Sequence, residues 1–291
     1  MDKVYFNGEF MPREKVALSP DDRGFLFGDS VYEVVRWYGG YFFDMVGHMS
    51  RLQRSLNEIR ISWEDFENFP KIAEELIHNN DLGDACSLVY LQVTRGAAPR
   101  THAFPVPPVK PTVYAFARRQ SIDTINSERG ITVDLITDPR WERCDIKTTA
   151  LLANILAYQN AVESGNTEVC FMRDDLITEA SHSNIFFVKN DTVYTHPESN
   201  RILSGITRKH VISLAADNGL PLIEEAMPAG MLPYIHEAFI TNTSGEIVPV
   251  LKIGTMEVAD GHPGVVTRRL QRLFRARVID WGKGHGMQGN P

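Results

Sequence analysis

Apolar positions open the chain in a two-residue rhythm: Val4-Tyr5-Phe6 and Glu9-Phe10 flank Asn7-Gly8, a dipeptide that tolerates the positive φ angles of a tight hairpin. Residues 31–38 are rich in β-branched and aromatic side chains, and Gly39-Gly40 turns that expected strand into Tyr41-Phe42-Phe43. The period then lengthens. Leu52, Leu56 and Ile59 share one face of a helix starting near Gly47, and Phe69, Ile72, Ala73, Leu76 and Ile77 form the inward face of a second helix over 66–78. Residues 87–94 and 112–117 read as buried strands. Between them, Pro99, Pro105, Pro107, Pro108 and Pro111 exclude helix and central strand, which predicts a rigid loop able to hold side chains in place.

The stretch 118–130 is polar without apolar periodicity, so the domain boundary is expected there: 1–118, a linker at 119–130, a second domain over 131–281 and a mobile tail at 282–291. The second half opens with a strand at 131–136. Leu151, Ile155, Tyr158 and Val162 are spaced as one helical stripe, with Gly165 as a stop. Strands are expected around 169–172, 183–189, 193–195, 239–241 and 247–250, with Asp174-Asp175 and Asn190-Asp191 as turns. Helices are expected over 207–218, closed by Gly219, and around Val266, Leu270 and Leu273. Strands and helices mix without strict alternation, which favours an α+β fold.

Composition narrows the class. The chain has 291 residues, is 43% hydrophobic and carries a formal net charge of −7, so nucleic acid and anionic membrane are not expected partners. No apolar run reaches the roughly 18 residues of a membrane span, and the start lacks a basic-then-apolar leader. Three cysteines, Cys86, Cys144 and Cys170, without a CxxC pair suggest neither a disulfide framework nor a zinc knuckle, and the expected location is the cytoplasm. The histidines show no metal spacing, so no metal is expected. Gly284, Gly286 and Gly289 spell GxGxxG but follow no strand, and the five arginines over 268–277 read as a solvated helix face.

Three short stretches carry candidate chemistry. Lys147 ends the polar run Arg143-Cys144-Asp145-Ile146 where an apolar helix begins, and a lysine amine in apolar surroundings can act as a nucleophile toward carbonyls, although most lysines at helix starts are simply solvated. Glu179, in Thr178-Glu179-Ala180-Ser181-His182-Ser183-Asn184, could pair with a cationic ring nitrogen or sit in an ordinary turn. Leu203-Ser204-Gly205-Ile206-Thr207-Arg208 is a glycine turn opening a helix, suited to a phosphate, though N-capping explains the threonine equally well. Thr241-Asn242-Thr243-Ser244-Gly245-Glu246 is a similar hydroxyl-rich turn.

Taken together, these pieces resemble the fold-type IV pyridoxal phosphate enzymes, the class IV aminotransferase family, nearly end to end. Within it the chain is most similar to the bacterial D-amino acid branch. The best-matching pieces are Asp22-Arg23-Gly24 through Phe27-Gly28-Asp29-Ser30-Val31-Tyr32-Glu33, and Thr94-Arg95-Gly96-Ala97-Ala98-Pro99-Arg100-Thr101-His102. The resemblance implies a two-domain fold with pyridoxal 5'-phosphate held in the second domain. Lys147 would bind the cofactor covalently and move the substrate proton. Glu179 would face the pyridine nitrogen, and Arg51, Ile206, Thr207 and Thr243 would hold the phosphate. Tyr32, Arg100 and His102 would take the substrate α-carboxylate, the last two from the partner subunit of a homodimer, so the N-terminal domain carries the carboxylate loop. The implied reaction is transamination between D-amino acids (D-alanine, D-glutamate) and 2-oxo acids (pyruvate, 2-oxoglutarate). Alternatives are a branched-chain L-amino acid or (R)-amine transaminase, or an aminodeoxychorismate lyase. Ala180, His182, Gly245 and Arg36 depart from the usual pattern and leave the side-chain pocket open.

Overall fold

The computed structural model describes residues 2–285. The chain divides into two compact units, one built from Met1–Ser121 with Ile146–Ala150, the other from Ile122–Asp145 and Leu151–Lys283.

The first unit contains β1 (Lys3–Phe6), β2 (Glu9–Pro12), α1 (Arg23–Phe27), β3 (Ser30–Tyr38), α2 (Met45–Glu58), α3 (Phe69–Asn79), β4 (Cys86–Thr94) and β5 (Thr112–Arg119). The strands form one antiparallel sheet in the order β2-β1-β5-β4-β3. Asn7 and Gly8 both take positive φ, 51° and 104°, as the hairpin requires. The expected face of α3 is fully buried, and with Leu52 and Leu56 of α2 it covers Val35, Val89 and Leu91 of the sheet. Tyr41-Phe42-Phe43 does not extend into a strand: Phe42 makes only a single bridge to Trp37, and its ring meets the Trp37 ring edge-on at 4.9 Å. The proline-rich loop between β4 and β5 is irregular throughout.

The second unit contains α4 (Thr124–Arg129), β6 (Ile131–Thr137), α5 (Leu152–Glu163), β7 (Glu168–Arg173), β8 (Leu176–Ala180), β9 (Asn184–Lys189), β10 (Thr192–Thr195), α6 (Ile206–Asp217), β11 (Leu222–Glu224), β12 (Met227–Pro228), β13 (Glu237–Asn242), β14 (Glu246–Ile253), β15 (Met256–Glu257) and α7 (Val265–His285). Its mixed ten-stranded sheet runs β11-β10-β9-β13-β14-β6-β7-β8-β12, with β15 beside β14. Asp174, Asp175, Asn190 and Asp191 all have positive φ at the two hairpin turns that the sequence marks.

Three expectations need correction. The stretch 119–130 is no structureless linker: β5 reaches Arg119, and Asp123 caps α4 by accepting from Asn126 N. The helical stripe of α5 faces outward, because the helix buries Ala157 and Ala161 against Val169 and Phe171, a close approach that small side chains permit. The tail expected at 282–291 is helical through His285, and the remaining residues, with Gly286 and Gly289, lie outside the described residues. The arginines of α7 do more than meet solvent. Arg268 donates to the carbonyls of Ser127 and Glu128 at the end of α4, and Arg277 pairs with Asp217.

Candidate active site

Lys147 belongs to the first unit. Its carbonyl accepts from Tyr32 N at 2.9 Å, its N–H donates to Ser55 Oγ at 3.2 Å, and Thr148 bridges Val31. These bonds lay the segment alongside β3. Lys147 Nζ then stands 4.2 Å from the centre of the Tyr32 ring, and among the described residues it has no ion-pair partner. Of the sequence-marked residues, Lys147 and Tyr32 are the pair brought most directly together.

Arg51, on α2, is spoken for by a residue that sequence reading passed over. Glu33 of β3 is fully buried and accepts from Arg51 Nη2 at 2.6 Å and Nε at 3.0 Å, with His48 Nδ1 also at 3.0 Å. Burial alone would push the Glu33 carboxyl up, but Arg51 and His48 bring it far below the usual carboxylate range. The same burial holds His48 below its ordinary value. Glu33 thus fixes the guanidinium in one orientation.

Arg100 and His102 sit exposed on the proline-rich loop. They flank one ring: Arg100 Cζ is 5.1 Å and the His102 ring centre 5.8 Å from Phe27. Neither is paired with a carboxylate among the described residues, so the Arg100 guanidinium and the His102 ring N–H are open to an outside anion.

In the second unit Glu179 lies on β8, a strand the sequence pattern did not reveal. It is 4% exposed. Arg140 Nη1 donates to Oε1 at 2.6 Å, and Asn184 Nδ2 and Leu203 N donate to Oε2 at 3.1 and 3.0 Å. Burial raises the Glu179 carboxyl to about 7 against the pull of Arg140, so near neutrality it can hold or share a proton. Arg140 is itself clamped by Asp138 and lies 4.3 Å over the Phe171 ring.

Asn184 connects Glu179 to the start of α6. Its Nδ2 also donates to Leu203 O at 2.8 Å, and its Oδ1 accepts from Gly205 N at 3.1 Å. Gly205 is the N-cap of α6 and offers no side-chain oxygen to the helix, so the buried first turn at Ile206 and Thr207 presents backbone N–H groups to an anion. Asn242 organises the turn carrying Thr243 by accepting from Ser244 N and Gly245 N, while it donates to Ser183 Oγ at 2.8 Å. Opposite Asn184 in register, buried Thr241 Oγ1 has no partner.

In the first unit the half-buried Lys147 amine, and in the second the buried acid near neutrality and the uncapped helix start, are each a group type that a phosphorylated pyridine aldehyde requires. The sequence model of the amino-transferase class IV family matches residues 30–253. The chain belongs to the class IV aminotransferase family. Enzymes of this family depend on pyridoxal 5'-phosphate, and this chain is an aminotransferase of that kind. It is 39% identical over 279 residues to the D-alanine aminotransferase of Staphylococcus epidermidis, covering 96% of this chain and 98% of that one. To the D-alanine aminotransferase of Bacillus licheniformis it is 38% identical over 95% and 97%. In three dimensions it is similar to the branched-chain amino acid aminotransferase of Escherichia coli, with a TM-score of 0.88, 24% identity and 94% of each chain covered, which places it in fold type IV.

Sequence reading did not single out Glu33, Arg140 or Asn184. Glu33 and Arg140 act on marked residues 18 and 39 positions away, and Asn184 on Glu179 from the next strand. The usable signal was indirect, since Arg140 opens the same polar run that ends at Lys147.

Proposed function

We propose that this enzyme exchanges the amino group between D-amino acids, with D-alanine and D-glutamate as donors, and 2-oxo acids such as pyruvate and 2-oxoglutarate. The observation that carries the reading is the pair Arg100 and His102, two exposed N–H donor side chains without a carboxylate partner among the described residues on a proline-braced loop, in a chain whose curated relatives are D-alanine aminotransferases over nearly their whole length.

When bound, pyridoxal phosphate supplies the carbonyl that takes up the amino group and the ring that accepts electrons from Cα. In this reading Lys147 Nζ would hold the cofactor, and its freed amine would take up and return the substrate proton as base and then acid. Tyr32 keeps that amine against an aromatic face. Glu179 keeps the pyridine nitrogen protonated, and Arg140 and Asn184 keep Glu179 aimed. The N–H groups at Ile206 and Thr207, the Thr207 and Thr243 hydroxyls and Arg51 hold the phosphate. Arg100, His102 and Tyr32 pin the substrate α-carboxylate, and this selects which face of Cα turns toward Lys147.

The proposed assembly is a homodimer in which Arg100 and His102 serve the neighbouring subunit. The exposed apolar side chains of α5, Leu152, Ile155, Leu156, Tyr158 and Val162, support an association surface. Three free thiols are compatible with a cytoplasmic location, and no helix among the described residues is long and apolar enough to cross a membrane. The direct test is turnover. D-alanine should yield more than one equivalent of pyruvate per site only when 2-oxoglutarate is supplied, and repeated pyruvate release from aminodeoxychorismate without any acceptor would favour the lyase instead.

A further inference from the structure

The loop that carries Arg100 and His102 is held from beneath by a cluster outside the site itself. Asp29, in the short link between α1 and β3, accepts from Arg23 Nε at 2.8 Å, from Arg95 Nε at 2.8 Å and from Arg95 Nη2 at 2.9 Å. Each arginine then reaches a different part of the loop. Arg23 Nη1 donates to Thr101 O at 2.6 Å and to Ala103 O at 3.4 Å, and Nη2 donates to His102 O at 3.5 Å. Arg95 Cζ lies 3.6 Å from the centre of the Phe104 ring, while its Nη2 and Nη1 donate to Ile59 O and Arg60 O. Arg23 also lies 4.9 Å from the Phe27 ring, the same ring that Arg100 and His102 flank. Both arginines are buried, at 3% and 7% exposure.

We propose that Asp29, Arg23 and Arg95 form a positioning cluster that sets the enzyme's preference for carboxylate-bearing donors by fixing the backbone of residues 101–104. The inference rests on the carboxylate role given above to Arg100 and His102. The chemistry is that of a guanidinium fork: one planar group can bond Asp29 through one edge and loop carbonyls through another, which a lysine ammonium cannot reproduce. Asp29 is the common anchor, and without its charge the two buried guanidinium groups repel each other. Burial opposes ionisation of Asp29, yet hydrogen bonds from Arg95 and Arg23 hold its carboxyl below the ordinary range, so the anchor stays charged at neutral pH. Tyr32 and Lys147 make none of these bonds, so the cluster acts on substrate capture and leaves proton transfer alone.

The test compares Asp29→Asn, Arg23→Lys and Arg100→Ala as holoenzymes, in single-turnover half-reactions with D-alanine and with (R)-1-phenylethylamine, which has no carboxylate. Amide hydrogen exchange of residues 100–104 is read alongside. Asp29→Asn and Arg23→Lys should each raise the half-saturating D-alanine concentration about tenfold or more with the saturating rate within about threefold. The amine reaction should be unchanged and exchange in the loop faster. Arg100→Ala should show the same D-alanine loss without faster loop exchange. Equal losses for both donors, or a normal D-alanine response in the two cluster variants while Arg100→Ala is impaired, would overturn the positioning role. An unimpaired Arg100→Ala would instead sink the carboxylate assignment, and the cluster proposal with it. Arg23→Lys keeps the buried charge, so it decides the matter even if Asp29→Asn does not fold.

Discussion

Arg140 and Glu179 form a buried ion pair, Nη1 to Oε1 at 2.6 Å, in which the carboxyl is still raised to about 7. Removing the guanidinium would take away the largest opposition to burial and keep Glu179 neutral through the physiological range. Arg140→Met should therefore slow Cα proton removal by tenfold or more in single turnovers. It should also lower stability by about 3 kcal/mol, the order found when one partner of a buried pair is deleted. Denaturant unfolding of the cofactor-free protein separates the two effects. Unchanged half-reaction rates would show that Arg140 only supports the fold.

Gly205 is the point where the α6 start and Asn184 meet, and a Cβ there would fall on Asn184 Oδ1. Gly205→Ala, compatible with the local φ of −69°, should turn Asn184 away and break its bonds to Glu179 Oε2 and Leu203 O. Spectral titration should then show pyridoxal phosphate binding weakened about tenfold. Binding as tight as in the parent would mean that Asn184 does not set the spacing between acid and helix.

Acid should unfold this protein earlier than its net charge suggests. The folded chain binds the Glu33 proton far less tightly than the unfolded chain does, so the stability that its pairing provides is present above the ordinary value of 4.5 and is lost as pH falls below it. Asp29 and Glu168 shift in the same direction and add to the slope. Thermal melts between pH 4.5 and pH 3 should show a falling Tm, below the range in which the raised Glu179 carboxyl takes up its proton and opposes the trend. Glu33→Gln should start lower at pH 4.5 and lose less on acidification.

The apolar face of α5 gives a separate test of assembly. Ile155 is 60% exposed, so Ile155→Asp should cost a monomer little stability and should push a dimer toward monomers in sedimentation. If Arg100 and His102 serve the neighbour, activity should fall with the dimer fraction. A fully active monomer would remove the shared-site reading.

Much of the fold was legible in residue order, for identifiable reasons. Asn7-Gly8, Asp174-Asp175 and Asn190-Asp191 turn where positive φ is tolerated, and the α3 face is buried residue for residue. The misreadings also have causes. β8 was missed because its Thr178-Glu179 pair looks like a polar turn, while both side chains are buried, Thr178 bonding the neighbouring strand at Phe171 O and Glu179 bonding Arg140, 39 positions away. The stripe of α5 pointed the wrong way because alanines make the close contact with the sheet and the large apolar residues stay outside. The lysine, the acid and the loop arginine were marked by their place in the family resemblance, since each local motif alone also fits a solvated or turn residue. Their supports, Glu33, Arg140 and Asp29, were not, since a buried ion pair between a strand or loop and a separate element leaves no periodic trace.

The central claim is a D-specific, carboxylate-capturing aminotransferase that works through Lys147. The most direct measurement follows the visible spectrum of the holoenzyme as D-alanine, L-leucine and (R)-1-phenylethylamine are added separately, in the parent and in Lys147→Ala. The account predicts rapid conversion of the bound cofactor to its amine form with D-alanine, much slower change with the other two, and none in Lys147→Ala. Faster conversion by L-leucine would contradict the handedness, and faster conversion by the amine would contradict the carboxylate capture. Parent-like conversion in Lys147→Ala would contradict the account at its root.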